Sequence, residues 1–174
     1  LGNNTEILEI LLKNKLSGTI MIWAPYLKEK IYKDNFFDDY IVKSFPNKGS
    51  KLIKIKGNII FRKLNLSYNR DGLYMTGQRV NMGNVLVIKT KFNLKIILTE
   101  NRVMPFDDKH IKVFGIDPKN EDIIVTKSGS AWKIAFGEIA KTVLNIDTDG
   151  ICSSNVKKII YSYNNVKKYW PLNE

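Results

Sequence analysis

In TKSGSAWKIAF (126–136) a lysine and a serine, Lys127 and Ser128, stand side by side where an apolar strand pattern gives way to a helical one. An amine next to a hydroxyl is one arrangement from which a base and a nucleophile can be built. A strand that opens onto a helix N-terminus also exposes backbone N–H groups at a sheet's carboxyl edge, a common place for polar ligands. The same residues admit a purely structural reading, in which Lys127 lies on a rim and Ser128 or Ser130 caps the helix that carries Trp132. The two readings differ in whether a cleft opens beside the pair.

Other chemistries find less support. A metal site needs clustered His, Cys or carboxylate ligands, and the chain has one histidine, His110, and one cysteine, Cys152, far apart. No metal ligand is therefore assigned in this chain. DTDG (147–150) opens like a calcium loop, but the ICSSNV that follows lacks the later oxygen ligands and the closing Glu. A Ser-His-Asp triad would have to use His110, and no serine sits in a G-x-S-x-G elbow. Gly72, Gly77 and Gly83 match neither a P-loop nor a dinucleotide fingerprint and read as turn glycines. His110 itself reads as a structural or solvent-facing residue, replaceable at the small cost of a surface change.

The elements that must position Lys127 and Ser128 follow from periodicity. Asn3 and Glu6 precede Ile7, Leu8, Leu11 and Leu12, a capped amphipathic helix ending near Leu16 to Gly18. TIMIWA (19–24) predicts a strand, and Pro25 can start another helix. KLIKIKGNIIF (51–61) predicts a half-buried strand with a lysine face toward water. In VLVIKTKFNLKIILT (85–99) two apolar runs flank a polar turn at Lys89 to Asn93, as in a hairpin. Within PFDDKHIKVFGIDP (105–118) Asp107 is placed to cap a short helix that Gly115 stops. DIIVT, AWKIAFGEIA and TVLNIDT then predict a strand-helix-strand unit. These elements amount to α/β, bordering on α+β: a mixed β-sheet with helices packed on its faces.

With 174 residues, 44% of them hydrophobic, the chain is sized for a single domain with a real core. Its 28 Lys and Arg against 17 Asp and Glu give a net charge of +11, but the excess is mainly scattered lysine, which favours a solvated surface over a nucleic-acid face. One cysteine permits no internal disulfide and points to a reducing compartment, the cytoplasm. No apolar run approaches the length of a membrane span, and no signal-peptide layout opens the chain, so no membrane partner is expected. The chain begins at Leu1 rather than Met, and a piece of something longer is expected.

Four pieces bring a family into view: Pro105-Phe106-Asp107; Gly115-Ile116-Asp117-Pro118; Lys127-Ser128 followed by Phe136; and Trp170-Pro171-Leu172. In this order and spacing they resemble the C-terminal domain of the MlrC-like (microcystinase C type) zinc metallopeptidases. GNNTEILEILL and GQRVNMG resemble upstream segments of the same family, so the likeness spans nearly the whole chain, 1–174. The resemblance implies that zinc is held by a larger N-terminal catalytic domain absent from this chain, with no cofactor in the chain itself. It implies that the present domain closes the other side of a peptide-binding cleft. Lys127 and Ser128 would then position substrate or support the cleft, because a zinc-bound water would supply the nucleophile. The family pattern has glutamine where this chain has Met104, histidine where it has Ala131, just before Trp132, and aspartate at Asn3. These departures make Met104, Ala131 and Trp132 further substrate-cleft candidates.

The expected partners are thus the N-terminal catalytic domain of the same protein and a peptide substrate, with a homo-oligomer as an outcome of any exposed apolar face. The parent would be a metallopeptidase, and this chain alone inactive. The alternative from the residues themselves is a stand-alone basic binding module for an anionic partner, either nucleic acid or protein, which salt would release steeply.

Overall fold

Ile20, Ile22, Leu86, Ile88, Ile96 and Leu98 enter one hydrophobic core, while Met21, Val85, Val87 and Ile97 enter a second. Successive side chains of a strand point to opposite faces. A run that buries both sets must therefore be apolar throughout and lie centrally in a sheet covered on both faces. This is why TIMIW, VLVI and KIIL are nearly uninterrupted apolar runs.

The structure is a computed structural model that describes residues 4–27, 40–42 and 53–148. In chain order the elements are α1 (Glu6–Lys13), β1 (Gly18–Trp23), β2 (Tyr40–Val42), β3 (Ile53–Ile55), β4 (Asn58–Asn69), β5 (Arg79–Lys89) and β6 (Leu94–Thr99). They are followed by α2 (Lys109–Lys112), a 3-10 turn (Pro118–Asn120), β7 (Ile124–Val125) and α3 (Ala131–Phe136). A five-stranded sheet has the order β4-β5-β6-β1-β7, and β2 pairs antiparallel with β3 in a separate ribbon. The pairs β4–β5 and β5–β6 are antiparallel, whereas β1 runs parallel to β6 and to β7. This is the expected mixed α/β sheet. Leu8 and Leu11 of α1, with Ile53 and Ile55 of β3, cover the first face, and Ile111, Phe114, Ile116 and Phe136 cover the second.

Several local expectations are refined. Asn4 supplies the N-terminal bond of α1, its Oδ1 accepting from the Glu6 amide at 2.8 Å, while Asn3 lies outside the described residues. The helix closes with Leu16 N–H on the Leu11 carbonyl at 3.0 Å and Lys15 N–H on that of Leu12 at 3.2 Å, with Lys15 at φ +54. That is the Schellman pattern. The β5–β6 hairpin turns as expected, the Thr90 hydroxyl accepting from Leu94 N–H at 3.1 Å. KLIKIKGNIIF breaks into β3 and β4 at Lys56-Gly57, with Lys54 and Lys56 exposed beside buried Ile53 and Ile55; Lys51 lies outside the described residues. At Gly57 a Cβ would sit 2.5 Å from the Lys89 carbonyl oxygen, so the chain crosses β5 too closely for a side chain. Gly83 lies within β5, not in a turn. At φ +68 it occupies a break in the β4–β5 register, close against Glu100. TVLNIDT (142–148) forms no strand. A strand needs a neighbour's backbone, and Val143, Leu144 and Ile146 instead stand exposed.

β7 pairs with β1, Thr19 opposite Ile124 and Ile20 opposite Val125, and the chain entering it makes a close approach to the start of β1. Thr19 N–H donates to the Ile123 carbonyl at 2.7 Å, and Gly18, at φ +130, would place a Cβ only 2.3 Å from that same oxygen. Both the backbone angle and the space require glycine there. Gly18→Ala is therefore expected to cost about 3 kcal/mol or more in denaturant unfolding, whereas Gly77→Ala, at a positive φ with open space around it, should cost no more than about 1–2 kcal/mol.

Candidate functional site

Because β6, β1 and β7 are parallel, their carboxyl ends lie along one edge of the sheet. Lys127 and Ser128 follow β7 at this edge, two and three residues past Val125. Lys127 is half-buried, and its Nζ donates to the Asn4 carbonyl at 2.6 Å. Burial draws its amine down to about 8 by disfavouring the charged form. The Ser128 hydroxyl oxygen accepts from Ala131 N–H at 3.0 Å, so it caps α3, whereas Ser130 makes no side-chain cap bond. Ala131 is buried. Trp132 packs half-buried against the second core, with the Lys133 amine 6.0 Å from its ring centre.

A small, mostly apolar recess opens beside Lys127. Met21 and Phe136 line its floor, and Pro105, His110, Thr126 and Lys127 bring it polar groups or turn chain toward it. The sequence did not associate His110 with Lys127; the fold brings both to one hollow. His110 is 3% exposed, which departs from a surface placement. It sits in α2 because the loop ahead of that helix is itself fastened down.

The fastening is a buried polar network. Arg70, 5% exposed, lies next to Asp107, 2% exposed, with Nη1 3.6 Å from Oδ1. Arg70 Nε donates to Gln78 Oε1 at 3.1 Å and Nη2 to the Met104 carbonyl at 3.0 Å, and its guanidinium lies 4.9 Å from the Phe106 ring centre. The Tyr68 hydroxyl lies 3.4 Å from both Asp107 Oδ1 and His110 Nδ1. Asp107 was expected to cap a helix; instead Asp108 stands at the N-cap of α2, and Asp107 turns inward to the arginine. Burial, reinforced by the Arg70 charge, holds His110 down to about 3, so it is a neutral imidazole. Burial and the Asp107 charge raise the Tyr68 phenol.

Lys127 and Ser128 thus each have a partner of their own, which suits positioning and support better than a base-nucleophile pair. Met104 is 38% exposed and gives its carbonyl to Arg70. Among the described residues no three His, Cys, Asp or Glu side chains gather as a metal site, so the described part of the chain does not fit a zinc ion, which takes about three protein ligands. Nor is any described helix long and apolar enough to cross a membrane. Arg70 and Tyr68 escaped the sequence reading. The only signal was the Asp107-x-x-His110 spacing, which places two polar groups one turn apart and calls for partners if both are buried.

The fold is a mixed α/β domain with a small recess on one face of the sheet, between Thr19 and Met21 of β1, β7 and the helices α2 and α3. The chain belongs to the family of MlrC C-terminal domains: the family model described as the MlrC C-terminus matches residues 43–163. It is similar to Microcystinase C of Sphingomonas sp., at 23% identity over 98% of this chain and 32% of the relative. It is also similar to the crystal structure of a candidate metallopeptidase from Mesorhizobium sp. BNC1, with TM-score 0.65 and 17% identity, covering 86% of this chain and 30% of that one. The chain spans about a third of the length of both relatives.

A neutral, buried His110 has a pH signature. Its proton is bound more weakly in the folded chain than in the unfolded one, which takes it up near the ordinary value of 6.5. Stability therefore falls as pH drops from about 6.5 toward 3, by up to roughly 1.4 kcal/mol per pH unit from this group. His110→Gln is expected to cost about 2 kcal/mol at pH 7, more than a surface change, and to flatten this slope relative to the parent chain. Urea unfolding of both proteins between pH 4 and 7 measures the difference, and parallel pH curves would contradict the assignment.

Proposed function

We propose that this chain is the C-terminal domain of a zinc-dependent metallopeptidase, forms one side of its peptide-binding cleft, and leaves the metal to an N-terminal catalytic domain. The observation that carries the reading is the match to the MlrC C-terminal family, with Lys127 just past β7 beside a small recess that His110 also lines. When bound in the catalytic domain, zinc would supply an activated water. The residues of this chain bind and orient. Lys127 already donates to a backbone carbonyl oxygen at 2.6 Å, the same kind of acceptor that every peptide substrate presents. Ser128 fixes the start of α3 and so the direction in which Lys127 leaves β7. His110, neutral and held by Tyr68, closes the recess without introducing a charge. The parent would be cytoplasmic, on the strength of a single cysteine in this chain that permits no internal disulfide, and the chain alone is expected to hydrolyse no peptide.

The test is made on the parent protein, full length, and on the 174-residue chain in parallel. The parent should hold zinc and cleave peptides until treated with chelator, and the chain should do neither. Stoichiometric zinc or chelator-sensitive turnover in the chain alone would overturn the division of labour. Binding of the chain to polyanions that weakens steeply with salt would instead favour the basic-module reading.

Lys127→Met makes a sharper prediction. In the parent, loss of one charge-assisted bond to substrate should lower kcat/KM roughly 10- to 100-fold. Its folded value of about 8 lies below the ordinary 10.5, so the unfolded chain binds the proton more strongly between those values. Wild-type stability should then rise as pH increases from about 8 to 10.5. The Lys127→Met chain should lack that rise and melt at a higher temperature at pH 7. Unchanged kcat/KM would remove Lys127 from the substrate site.

A further inference from the structure

The antiparallel ribbon of β4 and β5 continues beyond the sheet. β5 pairs with β6 only from Val85, opposite Thr99, to Lys89, while Arg79–Asn84 runs on with Leu66–Asn69 as its partner. Since β5 is antiparallel to β6, this extension leaves past the carboxyl ends of β6 and β1, the same edge where Lys127 lies. Six residues of strand reach roughly 20 Å. The ribbon ends in the turn DGLYMTGQ (71–78), where Leu73 is 98% exposed, Tyr74 43% and Met75 44%.

This tip is built rather than loose. Arg70 N–H donates to the Gln78 carbonyl at 3.0 Å, Gly77 N–H to that of Arg70 at 2.8 Å and Gln78 N–H to that of Met75 at 3.0 Å. The Thr76 hydroxyl donates to the Gly72 carbonyl at 2.5 Å. Met75 is held at φ +56 and Gly77 at φ +81. Beneath, Gly72 approaches Asp107 too closely for a Cβ, at 2.8 Å, Tyr74 packs on Phe106 with ring centres 4.9 Å apart, and Asp71 pairs with Lys109 at 2.9 Å. Residues 72–78 carry no charge. The turn's hydrogen bonds thus hold Leu73 almost wholly in water, and a tip ordered in advance would lower the cost of docking a partner.

We propose that the Leu73-Tyr74-Met75 tip is a docking knob that enters an apolar hollow on the part of the parent polypeptide outside this chain, so that the ribbon fastens the two halves beside the recess. The proposal rests on the function proposed above. Two observations choose this occupant. The relatives are about three times as long as this chain, which covers 32% and 30% of them. The base of the tip is also tied to a wall of the recess through Arg70, Asp107, Tyr68 and His110, so a partner seated on the tip would lie on the same network as the recess. An uncharged, apolar knob calls for an apolar, well-packed receptor rather than an anionic one.

Thiol labelling tests it. In a Cys152→Ser background, Leu73→Cys and, as a control on the far half of β4, Ile60→Cys, with Ile60 44% exposed, are treated with a maleimide, both in the 174-residue chain and in the full-length parent. The expected result is at least tenfold slower labelling at position 73 in the parent than in the chain, with equal rates at position 60. Equal rates at position 73 would overturn the proposal. So would protection in the chain alone that grows with its concentration, which would assign the tip to a second copy. Zinc content and peptide turnover are measured on the same parent samples. Protection at position 73 in a parent lacking both supports docking while removing the peptidase reading, and zinc-dependent turnover with an unprotected position 73 does the reverse.

Discussion

A buried arginine facing a buried aspartate organises the functional end of this domain. Removing two charges from water is costly unless their hydrogen-bonding capacity is taken up nearby. Arg70 meets that demand in part: Nε and Nη2 bond to the Gln78 side chain and the Met104 carbonyl, while Nη1 faces Asp107 at 3.6 Å as an ion pair and Nη1 and Asp107 Oδ2 make no hydrogen bond to the described residues. Met104 and Asp107 lie in the loop ahead of α2 and Gln78 where the ribbon tip leads back into β5, so one guanidinium ties these two stretches to the end of β4 that carries Arg70. Tyr68 extends the arrangement to His110, and His110 is a wall of the recess. An Arg-to-Lys exchange could not reproduce this, because a lysine offers no planar fork to reach these groups together.

Strand direction supplies the other half of the geometry. In an all-antiparallel sheet the ends of neighbouring strands alternate between edges. Here β6, β1 and β7 share a direction, which collects their carboxyl ends, and the loops beyond them, on one side. Trp23, at the end of β1, donates to the Glu100 carbonyl at 2.9 Å and receives the Arg102 guanidinium 3.9 Å from a ring centre. Glu100 in turn accepts from Asn84 N–H at 2.9 Å. The edge is therefore cross-linked from β1 to β5. Farther down, Glu121 takes both Thr19 and Lys95 at 2.6 Å, which anchors the segment leading into β7. Short as β7 is, Lys127 leaves it from a held position.

What could be read from the chain alone divides along physical lines. Local signals were legible: the apolar stripe of α1, the hairpin around Thr90 to Asn93, and the stop at Gly115, which does lie at φ +74. The mixed sheet follows from a strand-helix-strand unit whose strand in DIIVT and helix AWKIAF do form, although its last strand does not. TVLNIDT carried a strand's alternation, but a strand is decided by whether a neighbour's backbone is there to pair with. Asp107 carried a cap's chemistry, but a buried arginine 37 positions upstream in the numbering competes for the same carboxylate. Such long-range pairings leave no periodic trace, and for that reason Tyr68 and Arg70 were invisible while Lys127 and Ser128, adjacent in sequence, were not. The family resemblance needed no long-range geometry, only motifs kept in order, and the match over residues 43–163 reflects this.

Of the three departures that the resemblance implies, those at Met104 and Ala131 fall on described residues and differ in their surroundings. At Met104 the work done for the fold is done by the main chain, through the carbonyl that accepts from Arg70. Its side chain is 38% exposed and free to vary without loosening the network, so an exchange of glutamine for methionine there changes what the edge presents and not how it is held. Position 131 is different. Ala131 is 3% exposed, and its amide is the one that Ser128 caps. A larger polar side chain at that site would need both space and a partner, since a buried ring nitrogen without one is costly. A small residue there lets the first turn of α3 lie directly beside the second core. The change at 131 therefore couples to packing and the change at 104 to surface chemistry. Met104 shapes the exposed surface of this edge, while a small residue at 131 suits the close packing of α3, and with it the Lys127-Ser128 corner, against the sheet.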